Sequence, residues 1–253
     1  MSTTNEIFVA EYLKRIGYQG STEPCLTTLL DLHLCHIYAV PFENLDLLKD
    51  GFTPNLDREF LFDKVVRRNR GGVCYELNSL FCHLLSAMGF DVCQVSVAVK
   101  PDDSIYSHVT TLIRLPEGDY IADVGFGDTY LPPVKVGTEV TQVGGIDYYL
   151  EYTGEQQAEV MRRRPGQESE RMYTVILIPC AMSDYFETFR WASAMGNTIF
   201  SEYPICVRHT PEQQISLRRQ KLIFQHNGQI LEQHPVSPGE ETDRVLREYF
   251  DLP

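Results

Sequence analysis

Arg70-Gly71-Gly72-Val73-Cys74-Tyr75-Glu76-Leu77-Asn78 is the stretch on which the fold turns. Two glycines permit backbone bends closed to other residues. Beyond Cys74, apolar residues recur at helical spacing: Leu77, Leu80, Phe81, Leu84, Leu85 and Met88. The thiol is therefore expected in the first turn of an amphipathic helix that follows a glycine turn. Unpaired backbone N–H groups and the positive end of the helix dipole favour an anion there, and a histidine beside the sulfur deepens the effect. That placement suits a nucleophile. It equally suits a structural cysteine, since free cysteines are among the most buried residues.

Outward from this stretch, residues 1–90 read as helical. A first helix carries Ile7, Phe8, Tyr12 and Ile16 and runs to Gly17; a second covers roughly 28–38 and stops before Pro41. A third starts near Asp57 and runs through Val66, and Gly89 ends the Cys74 helix. From Asp91 the period changes to two, and strand-like runs follow at 105–115, 120–126, 147–153, 158–163 and 172–178. Pro116-Glu117-Gly118-Asp119 and Gly144-Gly145 mark turns between them. Short strands at this spacing predict a small antiparallel barrel. After Pro179 the pattern mixes: a helix over 183–195, a hairpin turning at Asn227-Gly228, and a last helix opened by a Ser237-Pro238-Gly239-Glu240 capping box. The chain reads as α+β, with a helical part over 1–90, a β part over 91–180 and an α/β part over 181–253.

Composition narrows the function. The 253 residues carry a net charge of −13, which argues against nucleic-acid binding. A hydrophobic content of 43% is ordinary for a globular enzyme. No apolar run is long enough to span a bilayer, so no membrane role is expected. The first residues lack a basic flank and apolar core, and the seven cysteines are odd in number and scattered; a reduced, cytoplasmic setting is expected.

Two further residues bear on Cys74. His108 lies in Tyr106-Ser107-His108-Val109-Thr110-Thr111 and Asp123 in Tyr120-Ile121-Ala122-Asp123-Val124-Gly125-Phe126-Gly127, consecutive predicted strands. An aspartate in so apolar a strand needs a partner, because an unpaired buried carboxylate is costly. If 116–119 form a four-residue turn, His108 and Asp123 share a face but lie four residues, ~13 Å, apart along the strand. A register shift of two or four residues keeps the face and closes the gap. The alternative is a core histidine bonded to a hydroxyl and an aspartate bonded to backbone N–H groups.

Arg70–Asn78, with Pro41-Phe42-Glu43-Asn44-Leu45 upstream and Asp123-Val124-Gly125-Phe126-Gly127 downstream, resembles the arylamine N-acetyltransferase family. Order, spacing and residue types agree over residues 35–130. The resemblance implies a Cys74–His108–Asp123 triad, and a helical bundle, β-barrel and α/β lid around a core related to papain-like and transglutaminase enzymes. It also implies that Phe42 and Phe126 line an acceptor pocket whose aromatic walls suit a flat amine. The implied activity uses acetyl-CoA as cosubstrate. Ping-pong transfer would pass acetyl through a cysteine thioester to an aromatic amine, hydrazine or N-hydroxyarylamine. Rival readings are a cysteine hydrolase, a transglutaminase-like enzyme, an amide synthase variant of the same family, or a non-catalytic binding protein on the same fold.

Other features weigh less. Arg70 and Glu76 read as scaffold charges pairing near the helix start, and Asn44 and Asn78 as hydrogen-bonding braces. Lys64, Arg67, Arg68 and Arg70 form a basic cluster that either complements a helix C-terminus or draws in anionic CoA. Arg162-Arg163-Arg164 reads as a solvated strand edge in preference to a phosphate contact. His33, Cys35 and His36 match no recognised zinc spacing, so no metal is expected. Cys82 and Cys93 read as packing residues. The segment Phe189–Thr198 departs from the family pattern, which leaves acceptor range open; residues contacting CoA are not identifiable.

Overall fold

The computed structural model describes residues 3–127, 131–194 and 202–253. Three helices build the N-terminal part: α1 (Thr3–Arg15), α2 (Leu26–Ala39) and the short α3 (Arg58–Phe62). The Asp57 carboxylate caps α3, accepting from the N–H groups of Glu59 and Phe60. The expected α-helix through Val66 stops at Phe62 and widens into a π-helical turn, Asp63–Arg67, in which the Arg68 N–H reaches the Asp63 carbonyl. The fourth helix, α4 (Cys74–Ala87), begins at the thiol, and Gly89 follows it with φ +95°. Nine of the fourteen residues of α4 are buried, and Leu77, Leu80, Phe81, Leu84 and Leu85 are fully enclosed among Phe8, Tyr12, Leu29, Leu32, Leu61 and Phe62.

Strand β1 (Phe42–Glu43) precedes the barrel strands β2 (Asp91–Ala98), β3 (His108–Leu115), β4 (Gly118–Ala122) and β5 (Val134–Lys135). Then come β6 (Thr141–Val143), β7 (Ile146–Gly154), β8 (Gln157–Arg163) and β9 (Glu170–Pro179). Antiparallel neighbours run β5-β4-β3-β2-β9-β8-β7-β6, and the sheet curls until β5 meets β7. The enclosed side chains, among them Val95, Val97, Leu112, Leu150, Val160, Tyr173 and Val175, make a second core. Helix α5 (Met182–Ala194) leads back toward the bundle, where Tyr185 and Phe189 stack on Tyr75 with ring centroids 5.9 and 4.7 Å away. The divergent segment extends past residue 194 and lies there outside the described residues.

The C-terminal part is a second sheet, ordered β1-β10-β11-β12-β13, built from β10 (Cys206–His209), β11 (Gln214–Arg218), β12 (Lys221–His226) and β13 (Gln229–Pro235). The β12–β13 hairpin turns at Asn227-Gly228, both at positive φ, as a two-residue turn requires. Helix α6 (Glu240–Phe250) closes this layer through Val245, Leu246 and Phe250. Its cap lies later than the sequence motif suggests: Gly239 is the N-cap, and Glu241 rather than Glu240 accepts from the Ser237 N–H. An unexpected pairing joins the N-terminal part to the C-terminal sheet, Phe42 to Val207 and Glu43 to Cys206.

Candidate active site

The two glycines before α4 serve close approach, not unusual torsions. Neither Gly71 nor Gly72 has positive φ. A Cβ on Gly71 would lie 2.0 Å from the Pro41 carbonyl oxygen, so only glycine lets the two chain segments pass. Phe42 bridges to Gly72, and the Glu43 N–H donates to the Gly72 carbonyl at 2.9 Å. The Glu76 carboxylate reaches back to accept from the Val73 N–H at 3.0 Å, which fixes the turn that presents Cys74.

Charges beneath this turn pair differently from the sequence reading. Glu76 is bound by Lys64 Nζ at 2.8 and 2.9 Å, while Arg70 binds Glu43 at 2.6 Å and Asp46 at 3.3 Å. Lys64 is only 1% exposed. Burial opposes its charge, but Glu76, Glu43 and Asp46 together outweigh that and raise its pKa. The basic cluster is thus committed internally, since Arg67 pairs with Glu11 and Arg68 with Asp63.

Histidine and aspartate come together through a tighter turn than the one expected. Only Pro116 and Glu117 form it, with Leu115 opposite Gly118 and Thr111 opposite Ala122. Against the expected pairing this is a shift of two residues, so parity survives and Asp123 falls beside Thr110. His108 is then two residues, ~7 Å, along the strand, and the side chains close the gap: His108 Nε2 lies 2.6 Å from Asp123 Oδ2. The core-histidine alternative, a hydroxyl partner for the ring, is not what is found.

Asn78, one helical turn after Cys74, ties this pair to α4. Its Nδ2 donates to Asp123 Oδ1 at 2.9 Å and to the Val109 carbonyl at 2.7 Å, and its Oδ1 accepts from the Val124 N–H at 3.0 Å. The Gly125 N–H adds a bond to Asp123 Oδ1 at 2.9 Å. Asn44 braces elsewhere, bonding Tyr203 and Ile205.

With Nε2 engaged by Asp123, the other ring nitrogen is left for Cys74, which lies close enough to act on the ring's charge. Burial works against a charged ring, yet the Asp123 carboxylate and the Cys74 sulfur push the His108 pKa up to about 10. Asp123 moves the opposite way: burial would raise it, but His108, Asn78 and the Gly125 N–H hold it below the usual carboxylate range. Cys74 remains partly exposed.

Phe126 packs edge-on to His108, centroids 5.8 Å apart, and Phe42 lies under Gly127, where an added Cβ would come within 2.7 Å of its ring. Sequence reasoning missed two supports. Tyr173 lies close to Asp123 and packs 5.9 Å from His108 and 5.3 Å from Phe126. His33 Nε2 meets the Asp123 backbone oxygen at 3.0 Å, while His36 Nδ1 meets the Tyr12 hydroxyl at 2.9 Å, so both histidines of the doubtful metal motif serve packing. Among the described residues no group of three or more His, Cys, Asp or Glu could hold a metal ion. Burial pushes the Cys82 thiol up to about 12 and Cys180 to about 11, in keeping with packing roles. Arg162–Arg164 do not form a sheet edge: β8 is interior, and the three pair with Glu170, Asp147 and Glu170 in turn.

A partly exposed thiol at a helix start, next to a charged imidazole backed by a buried carboxylate, is an arrangement able to perform acyl transfer. A family model described as N-acetyltransferase matches residues 25–253. The chain is 27% identical to the liver arylamine N-acetyltransferase of Gallus gallus, over 96% of this chain and 95% of that protein. The solved arylamine N-acetyltransferase of Salmonella typhimurium superposes with a TM-score of 0.89 at 28% identity, covering 97% of this chain and 91% of that one. That of Mycobacterium marinum, in complex with CoA, gives a TM-score of 0.87 at 26% identity over 96% and 92%. The chain belongs to the N-acetyltransferase family in which these arylamine-acetylating proteins fall.

Proposed function

We propose that this chain is an acetyl-CoA-dependent arylamine N-acetyltransferase with Cys74 as nucleophile, His108 as acid and base, and Asp123 as the group that orients the ring. The observation that carries the reading is the buried 2.6 Å pair of His108 and Asp123, near enough to Cys74 for the sulfur to favour the charged ring. An imidazole with a pKa of about 10 holds its proton at neutral pH, the state that favours a sulfur anion beside it.

The Cys74 sulfur attacks the thioester carbonyl of acetyl-CoA. The bond from acetyl carbon to CoA sulfur breaks, and His108 gives its proton to the departing thiol. The now neutral His108 takes a proton from the incoming amine as its nitrogen attacks the acetyl carbon. The bond to Cys74 breaks, and the thiolate and imidazolium are restored. Phe42 and Phe126 serve as walls for an aromatic amine, hydrazine or N-hydroxyarylamine acceptor. We read the division as 1–90, 91–180 and 181–253, supported by the three apolar cores, with the first sharing Val109, Ile113 and Val124 from the barrel strands. A cytoplasmic setting fits the free cysteines, and no described helix is long and apolar enough to cross a membrane.

The test is mass spectrometry of the intact chain after mixing with acetyl-CoA alone, followed by addition of an aromatic amine panel. One acetyl group on Cys74, discharged by an amine and absent from Cys74→Ala, is expected. Acetylation of amines by Cys74→Ala at the parent rate would refute the reading.

A further inference from the structure

His33 is fully enclosed in the helical bundle, edge-on to Phe81 of α4 with ring centroids 6.3 Å apart, yet its ring does more than fill space. Its Nε2 lies 3.0 Å from the Asp123 backbone oxygen. A carbonyl only accepts, so Nε2 carries the proton. Burial pushes the His33 pKa down to about 4, so at neutral pH the ring is uncharged and that N–H is its only one. Burial also lowers His36 of the same helix and His209 of β10, the latter to about 4, so the three histidines are neutral together.

The oxygen that His33 meets lies where the sheet lets go of the chain. The last pair of the β3–β4 ladder is Thr111 with Ala122, and the last of β4–β5 is Val134 with Ile121. From Ala122 onward side chains take over. Thr110 donates to the Ala122 carbonyl at 2.9 Å, His33 donates to the Asp123 carbonyl, and Asn78 Oδ1 accepts from the Val124 N–H at 3.0 Å. The Asp123 carbonyl and the Val124 N–H belong to one planar peptide unit. His33 of α2 grips that plane at its oxygen and Asn78 of α4 at its nitrogen, so two helices hold it between them. Rotation of the plane would turn the Asp123 Cα, and with it the carboxylate whose Oδ2 stands 2.6 Å from His108 Nε2.

We infer that His33 is a positioning residue for the Cys74 site: by holding the Asp123 carbonyl it keeps the carboxylate aimed at His108. The inference rests on the reading above in which Asp123 orients the His108 ring. Asn78 alone holds only one end of the peptide plane. A carboxylate that drifts about an ångström from Nε2 loses part of its attraction for the charged ring. Burial lowers the His108 pKa and Asp123 does most to lift it to about 10, so the drift must bring it down.

The test is NMR on protein with isotopically labelled ring nitrogens in its seven histidines. In the parent, His33 should be neutral with its proton on Nε2 from about pH 6 to 9. A proton on Nδ1 or a charged ring there would overturn the proposal, and this reading needs no variant. In His33→Leu, which keeps bulk but not the donor, the pH at which His108 loses its proton should fall by about one unit or more. First-turnover CoA release should slow by ~10-fold in the same variant. His33→Gln, whose Nε2 still donates, should keep the His108 value within about half a unit of the parent's. Both variants leave Asp123, Cys74 and Tyr173 in place around His108, so a shift reports how Asp123 is aimed. An unmoved His108 titration or a parent-like rate in folded His33→Leu, or an equal fall in both variants, would each overturn the proposal. A parent that gives the expected titrations but takes no acetyl group from acetyl-CoA would refute the enzymatic reading while supporting the hold of His33 on Asp123.

Discussion

Asp123→Asn probes the row of three at its most enclosed member, a side chain only 1% exposed. Asparagine keeps the shape. With its carbonyl turned toward Asn78 and Gly125 it still accepts both bonds that Asp123 Oδ1 receives at 2.9 Å. Its amide NH₂ then faces His108 Nε2, which must become an acceptor, so the ring proton moves to the nitrogen left for Cys74. The ring can no longer take the thiol proton without setting N–H against N–H. Lifting His108 from 6.5 to about 10 corresponds to roughly 4–5 kcal/mol favouring the charged ring. Asp123 is the larger of the two attractions behind this lift and Cys74 the smaller. Acetylation of Cys74 should therefore slow by ~10²–10³. Stopped-flow measurement of CoA release in the first turnover reads this step directly, and a melting temperature near the parent's confirms the fold. A loss below tenfold with the fold intact would refute the ion-pair account.

Gly125→Ala should drop the first-turnover rate by ~10²-fold, because the new Cβ would lie 2.9 Å from Cys74 Cα and 2.9 Å from Asn78 Nδ2; a parent-like rate would show that the strand and helix can part freely. Lys64→Met should lower stability by roughly 3–5 kcal/mol in urea unfolding, since Glu76 is left buried without its partner; adding Glu76→Gln should recover part of that, and a loss under about 1 kcal/mol would make the pair marginal. Thermal melts across pH separate the two ends of the His108–Asp123 pair. The stabilisation from His108 is complete below about 6.5 and is lost as pH rises through about 10; that from Asp123 holds above 3.8 and is lost as pH falls through its lower folded value. The parent minus Asp123→Asn difference should stay flat from about pH 5 to 6, decline as pH climbs from about 6.5 toward 10 and decline again at the acid end, and a difference rising above about pH 7 would contradict it.

The helices around Cys74 were legible because each carries its own periodicity and stop: Leu77 to Met88 and then Gly89, or Asp57 placed to cap. The His108–Asp123 face was legible from parity alone, while their distance was not, since Pro116-Glu117-Gly118-Asp119 serves equally well as a two- or four-residue turn. Gly118, at φ +127°, took its place in the strand. Arg70 and Glu76 look like a pair in sequence, but their partners come from elsewhere in the fold, Glu43 and Lys64. Nothing near Tyr173 or His33 marks them as supports for Asp123, because each reaches it across the fold: Tyr173 from β9, His33 from a helix 90 residues earlier. The same holds for Arg162–Arg164, whose run of charge hides an interior strand with alternate residues on opposite faces.

Strand β1 is only two residues long, yet Phe42 is bonded on one side to the turn that delivers Cys74 and on the other to the C-terminal sheet. The wall we assign to the acceptor is thus a seam stitched between the first and last parts of the chain. Exchanging the C-terminal sheet with that of a relative would not simply fit a new cover over a fixed cup. It would re-tension the thread that holds Phe42, and with it the floor beneath the thiol, so acceptor preference and acetylation rate should shift together in such hybrids.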